Sequence, residues 1–111
     1  QGYNEMMAGK LGLRHFDPAI DETLTDELFQ VLQLVETDMT IFFRKLALLD
    51  SNQTNETSDE VLLKPLLDAY YLPDELTDKY KARMGAWLRS YCARVQSDGT
   101  SEDLRRKKMN I

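Results

Sequence analysis

Residues 73–99 read Pro-Asp-Glu-Leu-Thr-Asp-Lys-Tyr-Lys-Ala-Arg-Met-Gly-Ala-Trp-Leu-Arg-Ser-Tyr-Cys-Ala-Arg-Val-Gln-Ser-Asp-Gly. Leu76, Tyr80, Met84, Trp87, Leu88, Tyr91 and Val95 recur in steps of three and four, which lays them along one side of a long α-helix. Pro73, Asp74 and Glu75 suit the start of that helix, and Ser97-Asp98-Gly99 suits its end. The remaining apolar residues also follow helical spacing. No strand-like alternation of useful length and no repeat of 20 to 50 residues interrupts them.

Toward the N-terminus, Ser58-Asp59-Glu60 opens a fourth helix with Leu63, Leu66, Leu67, Tyr70 and Tyr71 on one side. Pro65 either kinks that helix or marks its true first turn. Residues 50–58 carry no apolar side chain and are expected to form an exposed polar loop. Before the loop, Asp38 is placed to cap a third helix that runs to about Leu49, with Met39, Phe42, Phe43, Leu46 and Leu49 inward. Leu24, Leu28, Val31, Leu32 and Val35 define a second helix over about 25–36, with Thr25 as its N-cap. His15 to Glu22 is expected to be a loop, because Pro18 disfavours helix at Asp17. Tyr3, Met6, Met7 and Leu11 give a first helix over 2–11, closed by Gly12. At the other end, Thr100 or Ser101 can cap a short last helix. Its acids, Glu102 and Asp103, come early and its bases, Arg105 to Lys108, come late, the order that complements a helix dipole. The expected architecture is all-α, a single bundle of about six helices over residues 1–111 with no sheet.

The 111 residues suffice for one core and not two. Fourteen Lys+Arg against nineteen Asp+Glu leave a net charge of −5, so the surface on average repels phosphate backbones and anionic lipid. Neither nucleic acid nor a membrane is an expected partner. Cys92 and His15 are the only cysteine and histidine, which excludes an intramolecular disulfide and a Cys/His zinc site within the chain. Cys92 is expected to be a small buried hydrophobe, and His15 a surface or capping residue. No apolar run approaches the ~20 residues of a membrane-spanning helix. Gln1-Gly2-Tyr3-Asn4-Glu5 has neither an initiator Met nor a signal-peptide pattern, so the chain reads as a piece of a longer protein. The sequons at Asn52 and Asn55 then read as polar-loop residues rather than glycosylation sites.

Chemistry-bearing patterns are sparse. The glycines at 2, 9, 12, 85 and 99 are too scattered to cradle phosphate. Ser90 lies in a regular helix without a histidine partner, and no acidic ladder precedes Asp98-Gly99 to form a calcium loop. The pairs Asp26/Glu27, Asp59/Glu60, Asp74/Glu75 and Glu102/Asp103 fall at helix starts, where the dipole accounts for them. Arg83, Arg89, Arg94 and Arg105 to Lys108 are expected on solvated faces, and Tyr80, Trp87 and Tyr91 in the core. No residue is assigned as catalytic, cofactor-binding or metal-ligating.

Four ordered stretches carry a resemblance. Met6-Met7-Ala8-Gly9-Lys10-Leu11-Gly12-Leu13 is similar to a helix ending in a Lys-Leu-Gly-Leu turn. Asp38-Met39-Thr40-Ile41-Phe42-Phe43-Arg44-Lys45-Leu46 follows an Asp-Tyr-Thr-x-Phe-Phe-Arg-x-Leu pattern, with Met39 in place of tyrosine. Trp87-Leu88-Arg89-Ser90-Tyr91-Cys92-Ala93-Arg94 follows Trp-Leu-x-x-Tyr-x-x-Arg. Arg105-Arg106-Lys107-Lys108-Met109-Asn110 leads toward an Asn-Pro motif that the chain stops short of. Together they resemble the selenoprotein O family, whose members look like protein kinases by fold and transfer AMP from ATP to protein hydroxyls. The resemblance implies that ATP and magnesium are handled by residues upstream of this stretch. It also implies that the partners are the kinase-like lobe of the parent protein and that parent's protein substrates. The compartment implied is the cytoplasm of a bacterium, or the mitochondrion in a eukaryote.

Two functions remain open at this level. The chain is either a helical scaffold segment of such an AMP transferase, not catalytic alone, or a stand-alone helical interaction module. Phe29, Leu34, Ile41 and Leu48 lie off the main stripes and would contact the missing lobe in the first case and another protein in the second. An RNA-binding helical domain is a third idea, and it predicts affinity that falls steeply with salt.

Overall fold

The computed structural model describes residues 2–53 and 55–109. Six α-helices occupy them: α1 (Gly2–Leu11), α2 (Pro18–Leu32), α3 (Met39–Leu46), α4 (Asp59–Leu63), α5 (Asp78–Asp98) and α6 (Glu102–Met109). Two 3-10 segments, Lys64–Ala69 and Pro73–Glu75, stand between α4 and α5. Among the described residues there is no strand, only a single antiparallel bridge between Thr37 and Tyr70.

At about 1.5 Å per residue, the 21 residues of α5 span about 31 Å, close to the 36 Å long axis of the molecule. The other elements pack around it. Helices α2 and α4 lie against α5, α1 lies against α6, and α3 lies against the Lys64–Ala69 segment. The predicted stripe is the core of this arrangement, since Leu76, Tyr80, Met84, Trp87, Leu88, Tyr91 and Val95 are all buried. Trp87 stacks on Tyr91 with centroids 5.3 Å apart and donates its indole N–H to the Leu24 carbonyl at 2.8 Å, joining α5 to α2.

Several boundaries differ from the sequence reading, each for a local reason. The segment His15 to Glu22 is not a loop throughout, because α2 starts at Pro18. Asp17 is extended (φ −97°, ψ 104°), as a residue before proline prefers, and its carboxylate accepts the Ala19 N–H at 3.1 Å. Pro18 then occupies a first-turn position that needs no N–H donor. Thr25 is therefore not an N-cap but a buried residue inside α2. Helix α2 ends at Leu32 rather than Glu36, and α3 at Leu46 rather than Leu49. Helix α5 begins at Asp78 because the Thr77 hydroxyl accepts the Tyr80 N–H at 3.1 Å, while Pro73–Glu75 forms a separate 3-10 turn. Pro65 resolves its alternative by opening the 3-10 segment that follows α4.

Asp38 and Ser58 cap α3 and α4 as expected, and Ser101 takes the capping place before α6 by accepting the Leu104 N–H at 3.2 Å. Met39, Tyr71, Tyr3 and Met6 lie on predicted apolar faces yet remain exposed. The polar loop is exposed at Asn52, Asn55 and Glu56 but buries Ser51.

Candidate functional site

The end of α1 sets the first boundary of the site. Gly12 adopts φ 71°, its N–H bonds the Gly9 carbonyl at 3.2 Å, and the Leu13 N–H bonds the Ala8 carbonyl at 2.9 Å. This is the paired geometry that closes a helix in the left-handed conformation. A Cβ at Gly12 would strike the side chains of Arg105 and Met109, so the glycine serves conformation and close approach together.

Arg105 arrives there from α6 and is wholly buried. Its Nε donates to Glu102 Oε2 at 3.0 Å and its Nη2 to Glu102 Oε1 at 3.1 Å. Nη1 donates to the Leu46 carbonyl at 3.3 Å and to the Tyr91 hydroxyl oxygen at 3.2 Å, and Nη2 also reaches the carbonyls of Ala47 and Leu49. Those carbonyls belong to the end of α3 and the turn after it, where backbone acceptors lack helical partners and the dipole is negative. The Tyr91 hydroxyl in turn donates to the Leu11 carbonyl at 2.7 Å.

One residue from each of the four family-like stretches thus meets at a single buried point: Leu11, Leu46, Tyr91 and Arg105. Asn110, the last residue of the fourth stretch, lies outside the described residues, as does Thr54 of the first sequon.

The electrostatics follow from this packing. Burial opposes ionisation of Glu102, yet its bonds from Arg105 and Ser51 hold its carboxyl down at about 2. Burial likewise works against the Arg105 charge, but Glu102 and Tyr91 hold its pKa above the usual arginine value. Burial pushes the Tyr91 phenol up to about 12 despite Arg105, and the Cys92 thiol up to about 11. Cys92 is 1% exposed and stays a thiol, matching its expected role as a buried hydrophobe.

The other sequence-flagged residues fall elsewhere. His15 is exposed in the α1–α2 connection, where its carbonyl accepts from Arg94 Nη2 at 3.0 Å. Arg94 is not on a solvated face: its side chain is 11% exposed and grips the fully buried Asp21 through bonds of 2.7 and 3.0 Å. Asp98 stands 3.7 Å from the same guanidinium and accepts the Arg14 N–H at 2.9 Å. Arg89 pairs with Asp59 at 2.8 Å, and Arg83 is exposed. Gln96 donates to the carbonyls of Ser51 and Gln53, so the polar loop is tied down on α5. Among the described residues, no group of three or more His, Cys, Asp or Glu side chains could hold a metal ion, and no helix is long and apolar enough to cross a membrane.

Sequence reasoning missed both the buried role of Arg105 and the Arg94–Asp21 pair. For Arg105 a signal existed, because Met109 lies one helical turn on and is the apolar member of the same face of α6. Asp21 gave no such signal once its segment was read as a loop.

Beside the Arg105 cluster, α1, α3 and α6 border an open groove of about 550 Å³. Phe43 forms part of its floor, with Lys10 Nζ 4.9 Å from the ring centroid.

The family described as "Protein adenylyltransferase SelO" matches residues 1–110. The "Protein nucleotidyltransferase YdiU" of Rhodopirellula baltica is 38% identical over 116 residues, covering 99% of this chain and 22% of that protein. Proteins of the same name from Tolumonas auensis and Flavobacterium johnsoniae are 38% and 36% identical, covering 95% and 98% of this chain and 18% and 20% of their own lengths. The chain spans about a fifth of the length of these curated relatives. No solved structure matches it significantly. With the family match running through nearly every residue, and with the four stretches that suggested it joined in one buried cluster, the chain belongs to the SelO family.

Proposed function

We propose that this chain is a helical scaffold segment of a protein adenylyltransferase, a protein that moves AMP from ATP onto Ser, Thr or Tyr hydroxyls. On this reading, ATP and magnesium are handled by polypeptide outside these 111 residues, and the chain supports that lobe. The family match supports the parent activity. The scaffold role rests on one observation: the family-like residues Leu11, Leu46, Tyr91 and Arg105 are engaged with one another rather than turned toward a substrate. A guanidinium whose donors are taken up by Glu102, Tyr91 and the carbonyls after α3 is committed to holding three helices together.

Titration calorimetry of the 111-residue chain with magnesium-ATP tests the division of labour. No heat of binding is expected, and micromolar affinity would overturn the proposal. In the parent protein, α-labelled ATP should transfer its label to protein hydroxyls. A parent that labels nothing across a broad protein panel would remove the activity from the reading while leaving the scaffold geometry intact.

A further inference from the structure

The groove between α1, α3 and α6 is locally basic although the chain is acidic. The chain carries a net charge of −5, yet Lys10, Arg44 and Lys108 line this groove against a single carboxylate, Glu5. Neither Lys10 nor Arg44 is in a salt bridge among the described residues. Lys10 is held instead over the Phe43 ring, and Lys108 donates to the Leu13 carbonyl.

The apolar wall is equally specific. Three of the chain's five methionines, Met6, Met39 and Met109, line the groove, and Met6 and Met39 are 48% and 38% exposed. Methionine side chains are flexible and polarizable and adapt to irregular apolar partners, which suits a docking surface better than a fixed core. Arg44 gains a dipole role at the end of α3, but Met39 at the start of the same helix gains nothing from facing water.

We propose that this groove docks an acidic amphipathic protein segment, its apolar side chains against Met6, Met39 and Phe43 and its carboxylates toward Lys10, Arg44 and Lys108. Charge complementarity favours this occupant, because the groove is a local basic surface on an acidic molecule and adjoins an exposed methionine wall. This docking does not depend on the transfer reaction.

The test uses two fluorescein-labelled helical peptides of about 16 residues with the same Leu/Ile face, one with Glu and the other with Lys on its polar face. Each is titrated with the 111-residue chain by fluorescence anisotropy. The acidic peptide should bind and weaken with added salt, and the Lys10→Glu/Arg44→Glu double variant should lose at least about tenfold in affinity and turn to the basic peptide. A Met6→Ser/Met39→Ser variant, which leaves the charge untouched, should weaken the acidic peptide as well, and amide shift changes should fall on α1, α3 and α6. Circular dichroism verifies that each variant is folded.

Equal binding of the two peptides, indifference to both variants, or shifts centred elsewhere would overturn the proposal. So would tighter binding of a single-stranded RNA or of phosphatidylserine vesicles than of the acidic peptide. Self-association of the chain through this groove would likewise give it a different occupant.

Discussion

Arg105 and Arg94 are both withdrawn from water, at 0% and 11% side-chain exposure, yet their partners differ in kind. Arg105 spends most of its donors on backbone carbonyls at the end of α3 and on a tyrosine hydroxyl, with Glu102 as its carboxylate partner. Arg94 is clasped by Asp21 with Asp98 nearby, and only one bond goes to a carbonyl, that of His15. The first arrangement stitches helices together at one point. The second pins the α1–α2 connection and the start of α2 onto α5. Arg105 thus relies on one carboxylate and several backbone acceptors, which no substitution of a side chain removes, and Arg94 mainly on carboxylates, so the two clusters respond differently to mutation.

Arg105→Met is expected to be the most damaging single substitution. It would leave the Leu46 and Leu49 carbonyls and the Tyr91 hydroxyl oxygen without their cation, and the Ala47 carbonyl and Glu102 with Arg106 alone, at 3.0 and 3.4 Å. A loss of about 3–5 kcal/mol is expected, a large share of a small domain's stability, measured by urea unfolding. Asp21→Asn should cost less, about 2 kcal/mol, because Asp98 and the His15 carbonyl remain beside Arg94. If Asp21→Asn proved the more damaging, the α1–α2 connection rather than the Arg105 cluster would be the keystone.

Two glycines sharpen the contrast further. Gly12 and Gly99 share nearly the same backbone angle, φ 71° and 75°, but a Cβ at Gly12 meets Arg105 and Met109, whereas at Gly99 the nearest atom is Arg14 Nη1 at 3.9 Å. Gly99→Ala should therefore cost only the left-handed strain, about 1 kcal/mol. Gly12→Ala should cost about 2 kcal/mol or more, since it also displaces the arginine. Equal losses would mean that Arg105 moves aside freely.

Acid acts on both clusters through their carboxylates. Glu102 falls from the usual 4.5 to about 2 in the folded chain, so it contributes stability that is fully present above about pH 4.5 and is lost as pH drops toward 2. Asp98 is lowered as well: burial opposes the shift, and the bonds from Thr100 and the Arg14 N–H outweigh it. Glu102→Gln should be less stable than the parent at neutral pH and show a flatter stability profile between pH 4.5 and 2, read from thermal unfolding across that range.

The elements were largely legible in the amino-acid pattern because they are written in apolar spacing. The α5 stripe is buried where the pattern put it, and the caps at Asp38 and Ser58 act where the sequence placed them. Errors gathered where one signal has two physical meanings. Asp17-Pro18 is both a turn starter and a cap followed by a first-turn proline, and only the packing of α2 decides between them. The basic run of α6 was legible as a dipole complement, but the burial of Arg105 depends on carbonyls far away in sequence, from Leu46 to Leu49. The groove was illegible for the same reason, since Lys10, Arg44 and Lys108 become neighbours only in three dimensions.

Trp87 is the chain's single tryptophan, and it is wedged at the seam between α2 and α5 with its indole N–H engaged. Nature has thereby installed an optical gauge at that seam. Emission excited at the indole band should shift to longer wavelength when α2 peels from α5, so loosening of this joint can be followed without attaching a dye.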